Sequence, residues 1–151
     1  MAAAYPDEVL EHLEQAILAI TPSETAGSED VFQVLDGDDV EDLTQVSRDR
    51  RFIVTDSSVV SRKAGSGGCV LATMEVDVSV GYGIGRESRR RRVRDEWRIE
   101  NALRDARPTL AAIKKITIGD PQPHTLLAGD QGSAVIVTWS LTVEFYTHEE
   151  G

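Results

Sequence analysis

The 151-residue chain has one cysteine, Cys69, and three scattered histidines, His12, His124 and His148. A lone thiol excludes a disulfide framework, and this sparse Cys/His set does not supply the four ligands of a structural zinc site. Folding does not require either, because a chain of about 150 residues buries roughly 70% of the surface that its unfolded form exposes. No cofactor or metal is expected. Long apolar runs are absent as well: none approaches the roughly 20 residues that span a bilayer, and the N-terminus lacks the basic-then-apolar layout of a signal peptide. The expectation is one domain made in a reducing cytoplasm.

Positive charge is scarce in one part of the chain only. Residues 1–50 hold 13 acidic side chains against two basic ones, Arg48 and Arg50, while residues 51–151 hold 13 acidic and 14 basic. The net charge of -10 therefore comes from the N-terminal third. The remainder contains a local reversal, in which Arg86, Arg89, Arg90, Arg91, Arg92 and Arg94 fall within nine residues. A net-acidic protein repels phosphate at long range, so a general nucleic-acid binder is disfavoured, yet a short cationic stripe still suits an acidic protein surface.

Several segments declare their secondary structure. Pro6 followed by Asp7 and Glu8 starts a helix, since proline suits the first helical position and carboxylates the positive end of the dipole. Val9, Leu10, Leu13, Ile17 and Leu18 continue it at helical spacing until Thr21-Pro22, which predicts a helix over 6–19. Residues 21–50 read as an acidic loop with one short extended piece at Val31, Phe32, Val34 and Leu35. Strand formation begins at Arg51–Thr55, and after the Gly65–Gly68 turn Val70, Ala72, Met74, Val76, Val78, Val80 and Tyr82 alternate with a polar set that includes Glu75 and Asp77. The Gly81–Gly85 stretch is expected to break this strand.

A second helix then carries Val93, Trp97, Ile99, Ala102, Leu103 and Ala106 on one broad apolar face and closes at Pro108. Ile113–Ile118 reads as a short strand, Gly119–Gly132 as a loop, and Val135, Val137, Trp139, Leu141, Val143 and Phe145 as a second long strand. The predicted fold is α+β: an antiparallel sheet of two long hairpins, in the order β-β-α-β-β over 51–146, packed against a helix, with an additional N-terminal helix and a tail at 147–151.

Candidate chemistry is thin. Gly81-x-Gly83-x-Gly85 before an arginine-bearing helix has the layout of a phosphate cradle, but Arg86 stands where a dinucleotide fingerprint needs glycine or alanine, and no Lys-Ser/Thr pair follows as a P-loop requires. A strand-to-helix bend is the simpler reading. Glu75 and Asp77 share a strand face and suit an acid/base pair, a hard-cation site or exposed strand polarity, and no nucleophile signature stands near any histidine. Cys69 reads as a small packed or strand-edge residue. The arginine cluster admits three roles: a solvated face, a protein-binding surface or a nucleic-acid contact. Arginine's planar fork pairs carboxylates bidentately, and Asp36, Asp38, Asp39, Glu41 and Asp42 of the acidic loop are the nearest supply in sequence. Cations at a helix start oppose the dipole, so the cluster calls for acidic compensation from elsewhere.

The N-terminal helix, the Arg51-Phe52-Ile53-Val54 strand, the long strand ending in Tyr82, the helix with Arg94, Asp95, Ile99 and Leu103, and the final strand with Trp139, Leu141 and Val143 together resemble the tail terminator proteins of long-tailed bacteriophages. The resemblance is one of pattern over nearly the whole chain, and tail-completion, head-closure and minor tail proteins look similar. It implies a non-enzymatic virion protein at the tail end or neck: a hexameric ring that caps the tail tube, stops its growth and meets the head–tail connector, with DNA passing through the lumen without sequence-specific contacts. A head-closure or adaptor protein, and a small phosphate-ligand-binding enzyme, remain alternatives. A ring contact joins unlike faces, which the acidic segment and the arginine cluster provide, so both are candidate subunit or partner contacts, and Glu75 and Asp77 are candidate lumen-facing groups.

Overall fold

The computed structural model describes residues 3–20, 31–34, 49–64, 69–83, 86–109, 111–127 and 133–148. Helix α1 spans Pro6–Leu18. Its first turn is closed by the Tyr5 carbonyl, which accepts from the Glu8 and Val9 amides, and by the Glu8 carboxylate, which accepts from the Tyr5 amide at 3.2 Å. Val9, Leu13 and Ile17 are the buried stripe of this helix. The short extended piece is strand β1, Gln33–Val34, running parallel to β2.

Strand β2 starts at Arg51 as expected, runs to Ala64, and pairs antiparallel with β3, Cys69–Gly83, over nearly its whole length. Two irregularities, at Asp56/Ser58 and Val59/Ser61, interrupt the register and add local twist. Strand β3 ends within the glycine stretch, as expected, but not at its first glycine: Gly81 pairs with Arg51 on one side and Ile136 on the other, and pairing to β6 continues through Gly83. Helix α2, Arg86–Thr109, follows. It leads to β4, Ile113–Ile118; β5, Gln122–Leu127; and β6, Ser133–His148.

The architecture is α+β, a six-stranded sheet in the order β1-β2-β3-β6-β4 with β5 also on β6. One strand was not legible in the sequence. The Pro/Gly/Asp-rich segment 119–132, expected to be a loop, contains β5, so three strands rather than two follow α2. Because β3 pairs along the length of β6, β4 (opposite Leu141–Phe145) and β5 (opposite Ser133–Thr138) share its other edge in series. The chain passes from one to the other at Gly119, whose amide donates to the Ser140 carbonyl at 2.9 Å. A Cβ there would stand 3.1 Å from that oxygen, so the close approach favours glycine.

Ala72, Met74, Val76, Val78, Val80 and Tyr82 of β3 are buried with Val137, Trp139, Leu141, Val143 and Phe145 of β6, Phe52 of β2, the α1 stripe, and Ile99, Leu103 and Ala106 of α2. The Trp139 indole N–H donates to Glu100 of α2 at 3.3 Å. On the opposite face of β3, Glu75 is exposed and Asp77 half-buried, but Ser79 is buried and shares a 2.9 Å hydrogen bond with Thr138. The polar face is therefore exposed over only part of its length.

The broad apolar face expected on α2 is divided between the core and solvent. Ile99, Leu103 and Ala106 are buried, whereas Trp97 and Val93 are 69% and 57% exposed. Residues 93 and 97 are about one turn apart and 99 is separated from 97 by about 160° around the helix axis, so one helix face cannot hold both sets. Leu103→Ala should lower unfolding free energy by about 2–5 kcal/mol, and Trp97→Ala should leave it within about 0.5 kcal/mol, in urea titrations of the two variants.

Candidate functional site

The acidic segment rejoins the described chain at Asp49 and Arg50, which sit at the junction of β2, β3 and α2. Arg50 adopts a left-handed backbone (φ 70°), a conformation a side-chain-bearing residue takes only when its surroundings hold it there. Its amide donates to the Gly81 carbonyl at 3.0 Å, and its carbonyl accepts from Gln33 at 3.0 Å. Its guanidinium is fully buried against Asp95 of α2, with Nε to Oδ2 at 2.7 Å and Nη2 to Oδ1 at 3.0 Å. The Tyr82 hydroxyl donates to Oδ2 at 2.9 Å and Arg98 to Oδ1 at 3.2 Å, while the Phe32 ring lies 5.5 Å from the guanidinium carbon. Four donors converge on one carboxylate, which is what a buried ion pair needs to offset its desolvation.

Asp49 compensates the other end of α2. Its Oδ1 accepts from the Gly83 amide at 2.8 Å and the Ser88 hydroxyl at 3.0 Å, and its Oδ2 pairs with Arg91 at 3.1 Å. The Asp49 carboxylate thus lies beside the start of α2, where a negative charge suits the positive end of the helix dipole.

These two contacts divide the arginine cluster. Arg91 turns inward to Asp49, and Arg92 lies half-buried, 3.7 Å from Glu96. Burial pushes the Glu96 carboxyl up from its ordinary value, the Arg92 charge opposes that, and Glu100 adds to it. Arg86, Arg89, Arg90 and Arg94 face outward around Val93, lining an open groove of about 380 Å³, with Trp97 one turn beyond Val93. Arg90 stands 3.6 Å from Glu87 with both side chains well exposed, a pair of little energetic weight. Among the described residues Arg86, Arg89 and Arg94 have no ion-pair partner.

The acidic partners expected from the sequence, Asp36, Asp38, Asp39, Glu41 and Asp42, lie outside the described residues. Among the described residues the exposed acidic face is that of α1: Asp7, Glu8 and Glu11 are exposed, with Glu14 beside them and no cation in the last turn. Glu75 and Asp77 stand on the sheet face away from the core, where the Ser140 hydroxyl donates to Asp77 at 2.9 Å. The histidines are dispersed. The His12 ring nitrogen Nε2 meets the Ala106 carbonyl at 2.9 Å and ties α1 to α2, His124 is exposed on β5 rather than in a loop, and His148 closes β6 with its ring 4.6 Å from that of Tyr5. No cluster of three or more metal-ligating side chains occurs among the described residues, and no helix among them is long and apolar enough to cross a membrane.

Sequence reasoning did not find the Arg50–Asp95–Tyr82 cluster. One signal was present: Asp95 stands in phase with Ile99, Leu103 and Ala106, a carboxylate on the apolar stripe of a helix. Nothing local identifies Arg50, 45 residues away, as its partner. The sequence matches no protein-family model and no curated protein at a significant level.

Removing one partner of the buried pair leaves the other charge stranded, so Asp95→Ala should cost about 3–5 kcal/mol of stability in urea unfolding, and Tyr82→Phe, which removes a single hydrogen bond to a charged group, about 1.5–3 kcal/mol. Alkaline pH gives a separate test. Burial, then the Asp95 charge, raises the Tyr82 phenol well above its ordinary value of 10.0. The folded state thus holds that proton more tightly than the unfolded one. Its stabilising effect is complete below about pH 10 and is lost as pH rises from there toward the folded-state value, by up to about 1.4 kcal/mol per pH unit. Urea midpoints of the wild type should therefore fall more steeply than those of Tyr82→Phe above about pH 10.

Proposed function

We propose that the chain is a ring-forming tail-terminator protein of a long-tailed bacteriophage, a structural cap that ends tube growth and joins the tail to the neck. The observation that carries this reading is the pair of unlike outward faces on one body: a cationic, tryptophan-bearing face on α2 and an acidic face on α1. Unlike faces suit heterologous contacts, which generate closed rings when the rotation between neighbours closes. The order of elements behind the resemblance adds to it, with Asp95 in a structural role and the long strands β3 and β6 at the centre of the sheet. The protein acts by shape and charge, with the ring lumen as a passage for DNA and the tail-tube and connector proteins as its partners.

Addition of the purified chain to polymerising tail-tube protein of the same virus should shorten the tubes and place a ring at one end in electron micrographs. Native mass spectrometry of the released cap should give six times the 16.5 kDa chain mass. Tubes that grow to unchanged length with bare ends would overturn the reading, and binding to a twelvefold connector in place of the tube would assign the chain to head closure.

A further inference from the structure

The cationic face of α2 has features that a merely solvated arginine run lacks. Trp97 is a large apolar side chain 69% exposed in the same row as Val93, and Arg86, Arg89, Arg90 and Arg94 surround that row. Tryptophan and arginine are the residues that most often anchor protein interfaces, where desolvation by a central aromatic strengthens the ion pairs around it. Arg86, Arg90 and Arg94 recur every four residues and span about 12 Å of helix axis at ~1.5 Å per residue.

The acidic face of α1 has the matching dimensions. Asp7, Glu11 and Glu14 recur at helical spacing over about 10 Å, and Glu8, Glu11, His12 and Gln15 line an open depression of about 280 Å³. The Glu14 carboxyl is raised above its ordinary value by burial and then by the Glu11 charge, a repulsion that a cation from outside would relieve. Tyr5 and Leu18 add exposed apolar surface at the two ends of this helix.

Within one chain these faces do not meet. Helix α1 is held against the C-terminal half of α2 by the His12–Ala106 contact, and Ala106 lies twelve residues, about 18 Å of helix axis, beyond Arg94. We infer that the Trp97-centred cationic face of α2 receives the acidic face of α1 from a second copy of this chain, a head-to-tail contact in which each copy donates one face and accepts on the other. Resting on the ring reading, it specifies which surfaces form that ring. A nucleic acid is the poorer occupant, because the chain's net charge of -10 repels phosphate and the complementary acidic face would be left unused.

Complementary charge reversal tests it. Arg90→Glu/Arg94→Glu and Glu11→Lys/Glu14→Lys both spare the buried cluster, Asp49 and the Glu8 cap, and circular dichroism with thermal unfolding checks that each stays folded. By native mass spectrometry and sedimentation at low salt, the wild type should self-associate, each variant alone should associate at least about tenfold more weakly, and an equimolar mixture should recover heterodimers and even-numbered assemblies. Trp97→Ala should weaken association about as much without moving the unfolding midpoint, and raised salt should dissociate the wild type. Reversed variants that assemble like the wild type, a mixture that stays monomeric, or a wild type that never self-associates would each overturn the interface. Loss of duplex-DNA binding on arginine reversal with self-association intact would reassign the face to nucleic acid. The two readings fail separately: rings that cap tubes despite both reversals refute the interface and keep the cap, whereas copies that join through these faces but ignore tubes uphold the interface and refute the cap.

Discussion

The buried pair between Arg50 and Asp95 is the constraint on which the rest of the arrangement depends. A guanidinium and a carboxylate with no solvent access carry a large desolvation cost, and that cost is offset only when their hydrogen-bonding capacity is used. Here Asp95 accepts from Arg50 twice, from Tyr82 and from Arg98, and the Arg50 backbone is bonded to Gly81 and Gln33. One interaction thus ties the end of the acidic segment, the start of β2, the end of β3 and the middle of α2. It sets the rotation of α2 about its own axis. With Asp95, Ile99 and Leu103 turned inward, Arg86, Arg90, Val93 and Trp97 have no direction left but outward.

The electrostatics of α2 follow from that rotation. Arginines crowded at a helix start oppose the dipole, and among the described residues, with Glu87 in the first turn beside Arg90, Asp49 offsets them by taking the Gly83 amide, the Ser88 hydroxyl and Arg91 together. The cations on the opposite side are beyond its reach. They remain on an exposed surface beside a tryptophan that contributes nothing to the core, while α1 presents carboxylates that repel one another. Among the described residues Arg86, Arg89 and Arg94 and the α1 carboxylates have no ion-pair partner, and the proposed contact between copies would relieve both faces at once.

How much of this was legible depends on the range of the signal. Alternation along Ala72–Tyr82 and Val137–Phe145 and the helical spacing of Val9, Leu13 and Ile17 are local periodicities, and the elements they announce are present. Strand β5 was hidden because its residues, with Pro123 among them and Pro121 just before, carry no strand pattern of their own and pair through the edge of β6. Trp97 was misassigned because apolar residues at 93, 97, 99, 102, 103 and 106 surround more than half of a helix, and spacing alone does not say which part faces the sheet.

The sequence by itself determined the α+β class, the long strands β3 and β6, the segregation of acidic from basic residues and the concentration of arginine at the start of α2. These are properties of neighbouring residues, set by a period of two or 3.6 and by charge count. Tertiary structure alone decided which arginines are spent on the protein's own acids and which remain outward, that Asp49 meets Gly83, Ser88 and Arg91 beside the start of α2, and that Arg50 is buried. The reason is physical: the partners lie 34 to 45 residues apart in the chain, and only packing of α2 on the sheet brings them within hydrogen-bonding distance.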